Sequence, residues 1–441
     1  MKKLLFCLFL FIFFSANIMN SYADEEKYIV YGREIENGCT GDFDLIRPFG
    51  YSQWYGHWGY VNACGKILAD YYYASALDFS EGFGLLYEAE GGLSYKGRFV
   101  DNTGKILFES EEWNPFGQFH DGLACVRDGL NQGFINHKGE MVISSENFNS
   151  ARDFSEGIAI VNKYFNPGYG LQSYLAAIDV NGNELFAIPE EYGCQSDFHD
   201  GRVLVGTRTY SQPKKPFGYL NTEGDMVIPA VYEAARDFSE GLAAVSKYGW
   251  WGFIDTEGNV IVDFDYDVVS DFHEGYARVK KDGYWGLVNA AGIEVIPCRL
   301  SSMSDVSEGV LRAVNYHRNN DLKDFYYIDV YTGDLIAEFE NISFGGDFHE
   351  GLAIIVANAD NRYAINKDGV IVFEFPRGFK LKQNLESPYE ISVIPDWDKC
   401  DYFQNGMVMV RNDDTNEYGF INANGEYHRL FKKPQSDFNL W

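Results

Sequence analysis

Basic residues are scarce in this sequence. Its 441 residues include 36 Lys and Arg against 65 Asp and Glu, which gives a formal net charge of −29. Proteins bind the phosphates of nucleic acids with Lys and Arg, so we expect no nucleic-acid partner. The same charge disfavours anionic membrane surfaces, but it allows basic partners, divalent cations or simply high solubility.

The sequence also lacks the common catalytic signatures. It contains no Gly-x-Ser-x-Gly elbow, no His-Glu-x-x-His pair and no Gly-rich phosphate loop before Lys-Ser or Lys-Thr. We therefore expect a protein that is not an enzyme, with no catalytic residues and no cofactor. Carboxylates are abundant, so a hydrolase with a pair of Asp or Glu residues remains an alternative.

Long apolar runs are missing after the first residues. Leu4 to Phe14 is apolar but too short to cross a bilayer, and it follows Lys2 and Lys3. With the small residues around Ala23, this pattern predicts a signal peptide over residues 1–23. We expect an exported protein (periplasmic, cell-surface or secreted) with no stable membrane insertion after cleavage.

Cysteine provides no repeating framework, although export permits disulfides. Six cysteines follow the predicted signal peptide: Cys39, Cys64, Cys125, Cys194, Cys298 and Cys400. They fall at no constant position of the repeats described next, so we expect no ladder of disulfides.

Two short signatures recur along the chain. The first is Phe-x-[Glu/Asp]-Gly, and its first residues are Phe79, Phe119, Phe154, Phe198, Phe238, Phe272, Val306, Phe348 and, in a looser form, Phe403. The second is an aliphatic residue and Asp or Asn before a turn glycine, and its glycines are Gly65, Gly104, Gly139, Gly182, Gly224, Gly258, Gly292, Gly333, Gly369 and Gly425. Two signatures in constant order indicate tandem repeats.

Residues 237–267 show the repeating unit most clearly. After the Phe238 signature, residues 242–245, 251–255 and 259–264 are short runs rich in β-branched, aromatic and aliphatic residues. The last two runs flank a turn that Asp255 opens and Gly258 closes. The sequence therefore predicts three strands per unit, a hairpin with one flanking strand, and no helix.

These residues resemble the WG-repeat family, which is named for a Trp-Gly pair. The pair is intact at Trp58-Gly59, Trp251-Gly252 and Trp285-Gly286, and it is softened or lost in the other copies. The resemblance covers roughly residues 50 to 430 and implies a β-rich bacterial repeat protein. The family has no single established activity, so the resemblance implies a form and not a chemistry.

We predict an all-β fold of about ten hairpin-based repeats in an elongated, twisted array, with a closed propeller-like ring as the alternative. Unequal repeat lengths favour the open array, because closure penalises irregular blades. Variable loops at 162–173, 207–216 and 316–323 should lie at one end or face of the repeats. The chain divides into a signal peptide (1–23), a leader (24–45), the repeat array (46–375), a spacer (376–399), a final repeat (400–430) and a tail or cap (431–441).

The residue after the signature Phe or Val alternates strictly between Ser and His over eight copies, from Ser80 to His349. The alternation indicates that the structural unit is a pair of repeats. A zinc site would need ligand nitrogens about 3.4 Å apart, whereas alternate repeats lie at least ~9.5 Å apart. We therefore expect no metal site, and we expect these side chains to cap local backbone groups.

Five tryptophans are candidate contacts for a partner or ligand: Trp54, Trp58, Trp250, Trp251 and Trp285. Adjacent residues on a strand point to opposite faces, so Trp250 or Trp251 should face solvent unless neighbouring repeats cover both faces. Exposed aromatic rings anchor protein partners and stack on sugars. We expect a non-enzymatic scaffold that binds another protein, with a glycan- or cell-wall-binding module as the alternative.

Overall fold

The computed structural model describes most of the repeat region. The described ranges are 46–50, 58–62, 67–91, 94–108, 113–129, 131–144, 148–165, 172–208, 216–316, 323–357, 361–381, 403, 406–412, 415 and 417–432. The predicted signal peptide, the leader, Trp54, most of the predicted spacer and residues 433–441 lie outside them.

Every regular element of the described ranges is a β-strand, which confirms the all-β prediction. They form ten small antiparallel sheets, numbered 1 to 10 in chain order. Sheet 1 holds β1 (Ile46–Gly50), β2 (Trp58–Asn62) and β3 (Ile67–Tyr73); sheet 2 holds β4 (Ser75–Ser80), β5 (Phe83–Gly91) and β6 (Ser94–Val100); sheet 3 holds β7 (Asn114–His120), β8 (Leu123–Asp128), β9 (Asn131–Asn136) and β10 (Met141–Ile143).

The next sheets have four strands each. Sheet 4 holds β11 (Phe148–Ala151), β12 (Ile158–Phe165), β13 (Gln172–Asp179) and β14 (Glu184–Ala187); sheet 5 holds β15 (Tyr192–His199), β16 (Arg202–Thr207), β17 (Phe217–Leu220) and β18 (Met226–Tyr232); sheet 6 holds β19 (Ala234–Ser239), β20 (Leu242–Lys247), β21 (Trp250–Asp255) and β22 (Val260–Tyr266); sheet 7 holds β23 (Val268–Val269), β24 (Tyr276–Lys281), β25 (Tyr284–Asn289) and β26 (Glu294–Leu300).

Sheet 8 holds β27 (Ser302–Met303), β28 (Val310–Tyr316), β29 (Lys323–Asp329) and β30 (Leu335–Ile342); sheet 9 holds β31 (Phe344–Gly345), β32 (Leu352–Val356), β33 (Arg362–Asn366) and β34 (Ile371–Glu374); sheet 10 holds β35 (Phe379–Leu381), β36 (Met407–Asn412), β37 (Glu417–Asn422) and β38 (Tyr427–Lys432). The described residues include no helix that could cross a membrane.

Each sheet is a meander in which consecutive strands pair. The prediction of three strands per unit is wrong for sheets 3 to 10, which have four. The additional strand, such as β19, leads into the Phe signature and is the first strand of its sheet. Its small and polar residues gave no strand pattern. At the far end, β35 lies within the predicted spacer and pairs with β36 as the first strand of sheet 10.

The predicted elongated array is wrong, and the alternative describes the structure. Sheets 2 to 10 follow one another as the blades of a propeller-like ring. First strands of neighbouring sheets lie in contact, as β15 does with β19, whereas fourth strands expose aliphatic side chains such as Val260 and Leu335. A stack that is close at one edge and open at the other curves around the close edge. Unequal repeat lengths do not prevent this, because the extra residues connect strands of one sheet. They fall between second and third strands in sheets 4, 5 and 8, and between first and second strands in sheet 10.

Each Phe signature ends in a two-residue hairpin turn between first and second strands, which we call a corner. At the corner of sheet 6, Glu240 has a φ of 55° and Gly241 a φ of 79°, the left-handed pair of a type I′ turn. Glycine adopts this conformation freely, but Glu does so at a cost of roughly 1–2 kcal/mol. The same strain recurs at Glu81, Asp121, Glu156, Asp200, Glu274, Glu308 and Glu350. Strain that recurs at every copy indicates that the acidic side chain has a role.

That role is to join neighbouring sheets. The carboxylate of Glu240 accepts hydrogen bonds from the backbone N–H groups of Glu274 and Gly275, both at 2.7 Å. Two successive left-handed residues point their N–H groups to one side and form a site for an anion. The other links run from Glu81 to Gly122, Asp121 to Gly157, Glu156 to Asp200 and Gly201, Asp200 to Gly241, Glu274 to Glu308 and Gly309, Glu308 to Gly351, and Glu350 to Gly406. We call this series the corner ladder.

Aromatic rings fill the space behind the corner ladder. Phe253, on the third strand of sheet 6, packs edge-on against the corner Phe272 of sheet 7, with ring centroids 4.8 Å apart. Tyr219 contacts Phe238 in the same way at 4.9 Å, and its hydroxyl donates a hydrogen bond to the carbonyl of Arg236 at 2.6 Å. Each corner Phe is therefore buried by the preceding sheet, at roughly 1.5–3 kcal/mol per ring.

The alternation of Ser and His has a structural basis in how sheets pair. Each corner Ser donates a hydrogen bond to the carbonyl of the corner Phe in the next sheet; the bonds join Ser80 to Phe119, Ser155 to Phe198, Ser239 to Phe272 and Ser307 to Phe348. The expectation that these serines cap local backbone groups is therefore wrong. The turn between third and fourth strands alternates too, with Asp in the Ser sheets (Asp101, Asp179, Asp255, Asp329) and Asn in the His sheets (Asn136, Asn221, Asn289, Asn366).

We predict that Gly241→Val destabilises the protein through backbone strain rather than through a clash. A Cβ at Gly241 would meet nothing within 4 Å, but the φ of 79° disfavours a β-branched residue. The free energy of unfolding should fall by about 1–2 kcal/mol, which is measured as a lower melting temperature. Gly241→Asn is the control, because Asn tolerates left-handed φ. Equal melting temperatures for the two variants would contradict this explanation.

The turn aspartates predict a loss of stability in acid. Hydrogen bonds from Asn183 and Asn181 lower the pKa of Asp179. For Asp255, slight burial acts to raise the pKa, but hydrogen bonds from Asn259 and Glu257 outweigh it and lower the pKa. A lowered folded-state pKa gives stability above the unfolded-state pKa that is lost as the pH falls through the folded value.

The variant D179N/D255N should therefore keep its fold at pH 7, since Asn fills the same turn in the His sheets. Its melting temperature should fall less than that of the wild type between pH 6 and pH 3. Asp263→Asn, at an exposed carboxylate outside these turns, is the control. An acid-induced fall as large as in the wild type would refute the role of the turn aspartates.

Candidate functional site

The corner ladder gives the ring two different faces. Because the ladder joins equivalent turns of successive sheets, all sheets run in the same direction. Antiparallel strands reverse at alternate ends, so the turns after the first and third strands lie on one face, which we call the corner face. The connections between second and third strands lie on the opposite face, which we call the loop face.

The variable loops lie on the loop face, as predicted. The loops at 162–173, 207–216 and 316–323 all connect second to third strands: β12 to β13, β16 to β17 and β28 to β29. The connections between these second and third strands therefore vary in length without disturbing the corner ladder.

Exposed aromatic side chains collect on the same face. Five of them lie at the ends of second or third strands there: Phe165, Tyr248, Trp250, Tyr284 and Tyr316, with exposed fractions from 42% to 80%. Of the other exposed rings of the described residues, Phe116 lies in the first strand of sheet 3 beneath Arg127, and Tyr331 lies on the corner face. Exposed Tyr and Trp are typical of protein-binding surfaces, because they supply a large contact area at a low cost in entropy.

The loop face is also acidic near these rings. Asp267 accepts a hydrogen bond from the backbone N–H of Asp282 at 3.0 Å, and Lys281 forms an ion pair with Asp265. Burial, followed by the charges of Glu294, Cys298, Asp265 and Asp263, raises the pKa of Tyr266 to about 12. The potential around β22 is therefore negative.

The structure separates the five predicted tryptophans. Trp54 lies outside the described residues, and for Trp58 only the backbone, in β2, is described. Trp250 is exposed on the loop face, whereas Trp251 is half-buried. The two neighbours point to opposite faces of the strand, and Trp250 is the one that faces solvent.

Cations cover the rings of Trp251 and Trp285. The guanidinium of Arg236 lies 5.2 Å from the ring centroid of Trp251, and Arg278 and Lys280 lie 5.3 and 5.4 Å from that of Trp285. Such contacts stabilise the cation and occupy the ring. Trp251 and Trp285 are therefore internal contacts, and of these three Trp side chains Trp250 presents the exposed ring.

Sequence reasoning missed the ion pairs that accompany these rings. Arg278 binds Asp305 of the next sheet at 2.5 Å, and Arg312 lies over Phe325 and binds Asp347 at 2.7 Å. The acid is in each case the residue before the corner Phe or Val. A signal for it was present in the sequence, since Asp recurs at that position, but its partner lies 27 to 35 residues away.

One carboxyl group has an altered acidity in the direction expected of a general acid. Burial, with Asp197 adding and His120 opposing, raises the pKa of Asp153. The side chain packs against Gly117 of the preceding sheet, where a Cβ would collide with it. We therefore assign Asp153 to packing between sheets. The described residues include no group of three or more His, Cys, Asp or Glu side chains that could hold a metal ion.

Comparison with protein families decides the kind of repeat. The model of the WG containing repeat matches residues 58–85, 133–164, 217–249, 251–285 and 285–315. The chain belongs to the WG-repeat family. No curated protein matches the whole sequence.

Among solved structures, the chain is similar to a eukaryotic initiation factor at 11% identity, covering 74% of this chain and 84% of that one, with a TM-score of 0.40. It is also similar to BamB from Moraxella catarrhalis at 13% identity, covering 64% and 88%, with a TM-score of 0.31.

The glycine of the WG pair has a clear structural reason. In sheet 6, Trp251 pairs with Tyr266 and Phe253 with Val262, so three residues of β22 bulge opposite Gly252. A Cβ there would lie 2.5 Å from the carbonyl oxygen of Val262. The same bulge occurs opposite Gly59, Gly218 and Gly286.

WG repeats that lost the glycine have no bulge opposite that position, although sheet 8 has one two residues earlier, opposite Asp324. In sheet 8, Tyr326 occupies the glycine position and pairs directly with Glu338, between continuous pairs on both sides. In sheet 9, Tyr363 pairs with Glu374 without a bulge. The glycine of the Trp-Gly pair therefore makes room for a bulge that bends the outer strand.

Proposed function

We propose that this protein is an exported, non-enzymatic scaffold that binds a basic protein partner through its loop face. The single observation that carries the proposal is the collection of Phe165, Tyr248, Trp250, Tyr284 and Tyr316 on one face. Rings in such clusters anchor interfaces, because each one removes a large apolar area from water.

Charge supports the choice of partner. The chain has a formal net charge of −29, and acids surround Tyr266 at the end of β22, while Lys247 and Lys323 lie over Tyr248 and Tyr316. A basic partner would be steered toward this face, and the association rate would fall with salt. The signal-like sequence of residues 1–23 supports export.

Glycan binding is the second candidate, and Trp250 favours it because its ring is exposed. Of the other described indoles, Trp251 and Trp285 lie under cations and Trp113 packs against Phe108, so the described residues offer no row of stacking tryptophans. Protein binding is therefore the better supported function.

Site-specific photo-crosslinking in native cells tests the proposal. A photoreactive phenylalanine at position 284, on the loop face, should form an adduct with a protein partner. The same residue at position 331, which is more exposed but lies on the corner face, is the matched control. Trp250→Ala should reduce the adduct at 284 at least several-fold, because it removes a neighbouring anchor. Equal adducts from both positions, or none from 284, would contradict a loop-face interface.

A further inference from the structure

A cavity of about 500 Å³ lies beside the first strand of sheet 7 and reaches sheets 6 and 8. Its walls combine two arginines and two acids, Arg236, Asp271, Arg278 and Asp305, with the apolar surface of Val268 and Trp285. Cavities of this size take small molecules. None of the five exposed rings of the loop face lines this cavity, so the inference does not depend on the proposed function.

One arginine of the cavity is fully occupied. Arg278 donates through Nε and Nη2 to the two carboxylate oxygens of Asp305, at 2.5 and 3.0 Å, and through Nη1 to the carbonyl of Met303 at 3.1 Å. This bidentate pair fixes the wall between sheets 7 and 8. It leaves Arg278 no planar edge for a ligand.

The other arginine is open. Arg236 stacks over Trp251 and makes one long hydrogen bond, from Nη1 to Oδ1 of Asp271 at 3.3 Å. In the described part of the chain, its Nε and Nη2 groups and the Oδ2 atom of Asp271 have no hydrogen-bond partner. The side chains of Arg236 and Asp271 are 37% and 52% exposed. The indole thus holds a guanidinium whose free edge suits a carboxylate.

Charge selects the class of ligand. The two arginines balance the two acids in the cavity, within a chain whose formal net charge is −29, so a simple anion would be repelled at long range. A zwitterion has no net charge and matches both open groups. Its carboxylate fits the free edge of Arg236, and its ammonium fits Oδ2 of Asp271.

We propose that this cavity binds a free α-amino acid with a large apolar side chain. The carboxylate and ammonium of such a molecule are separated by one carbon atom, which suits an arginine and an aspartate already in contact. The side chain then lies against Val268 and Trp285. An α-amino acid occupies well under the available volume, which leaves room for a bulky side chain.

The chain contains a matched control. Residues 152–157 and 236–241 both read Arg-Asp-Phe-Ser-Glu-Gly. Arg152 pairs with Asp197 of its next sheet at 3.4 Å, much as Arg236 pairs with Asp271. It does not line this cavity, and Leu175 stands where sheet 6 has Trp251. Arg152→Gln therefore reproduces the loss of charge and of an ion pair between sheets without touching the cavity.

Isothermal titration of the full mature protein with L-phenylalanine tests the proposal. Binding should be weakened at least 10-fold by Arg236→Gln and unchanged by Arg152→Gln. Arg236→Lys keeps the charge but loses the planar edge and should also weaken binding several-fold. L-phenylalaninamide lacks the carboxylate and N-acetyl-L-phenylalanine lacks the ammonium, so each should bind at least 10-fold more weakly.

Three results would overturn the proposal. They are no heat with millimolar phenylalanine, leucine or tryptophan; equal binding by the wild type and Arg236→Lys; and equal binding of the N-acetylated compound. The melting temperatures of Arg236→Gln and Arg152→Gln separate binding from folding, because both variants should lose a similar small amount of stability. Failure of these titrations would leave the loop-face crosslinks unaffected.

Discussion

The hydrogen bonds that backbone N–H groups of each corner donate to the corner carboxylate of the preceding sheet are the interaction on which this structure depends. It places a Glu or Asp in a left-handed conformation at a cost of roughly 1–2 kcal/mol per corner. In return the carboxylate satisfies N–H groups that a type I′ turn leaves pointing outward, and it fixes the distance and direction of the neighbouring sheet. Charge-assisted bonds of this kind are worth about 1.5–3 kcal/mol each, so the ladder offsets its own strain.

The ladder also explains why the two faces of the ring differ. The corner face is committed to contacts between sheets, and even after the long connection from β35 to β36 the N–H group of Gly406 still binds Glu350. The loop face makes no ladder contacts, so it accommodates connections of different length and exposes Tyr248, Trp250 and Tyr284. Repeat proteins place variable segments where stacking does not depend on them. The proposed partner surface lies on the face opposite the ladder, whereas the proposed amino-acid cavity runs along the first strand of sheet 7 as far as His273, next to the ladder residue Glu274.

The sequence was a good guide to whatever is local. The repeat itself, the hairpin from residue 251 to residue 264, the burial of Phe238 and the single face for the loops follow from turn chemistry and apolar pattern. The first strand of each sheet was missed because segments such as Ala234–Asp237 are short and show no alternation. The cavity and the covered rings of Trp251 and Trp285 could not be foreseen, since the arginines and acids that meet there are brought together by stacking.

The ladder was missed, and the ring was only the alternative prediction, for a related reason. Glu240 contacts residues 34 and 35 positions ahead, and nothing in the signature says that its carboxylate points to the next copy. The acid was nevertheless retained at every well-formed corner, although a left-handed turn would favour Asn or Gly. That mismatch between residue and conformation was the available clue. Propeller closure follows from the contact of inner strands, which no local pattern encodes.

Hydrogen exchange at the corners, followed by mass spectrometry, tests the ladder most directly. Glu240→Ala removes the acceptor for the N–H groups of Glu274 and Gly275, whereas the N–H of Gly241 is still bonded to Asp200. The account predicts faster exchange at 274–275, in the next sheet, with protection kept at Gly241 and with a smaller effect for Glu240→Gln. Unchanged exchange at 274–275, or loss confined to the mutated corner, would contradict it.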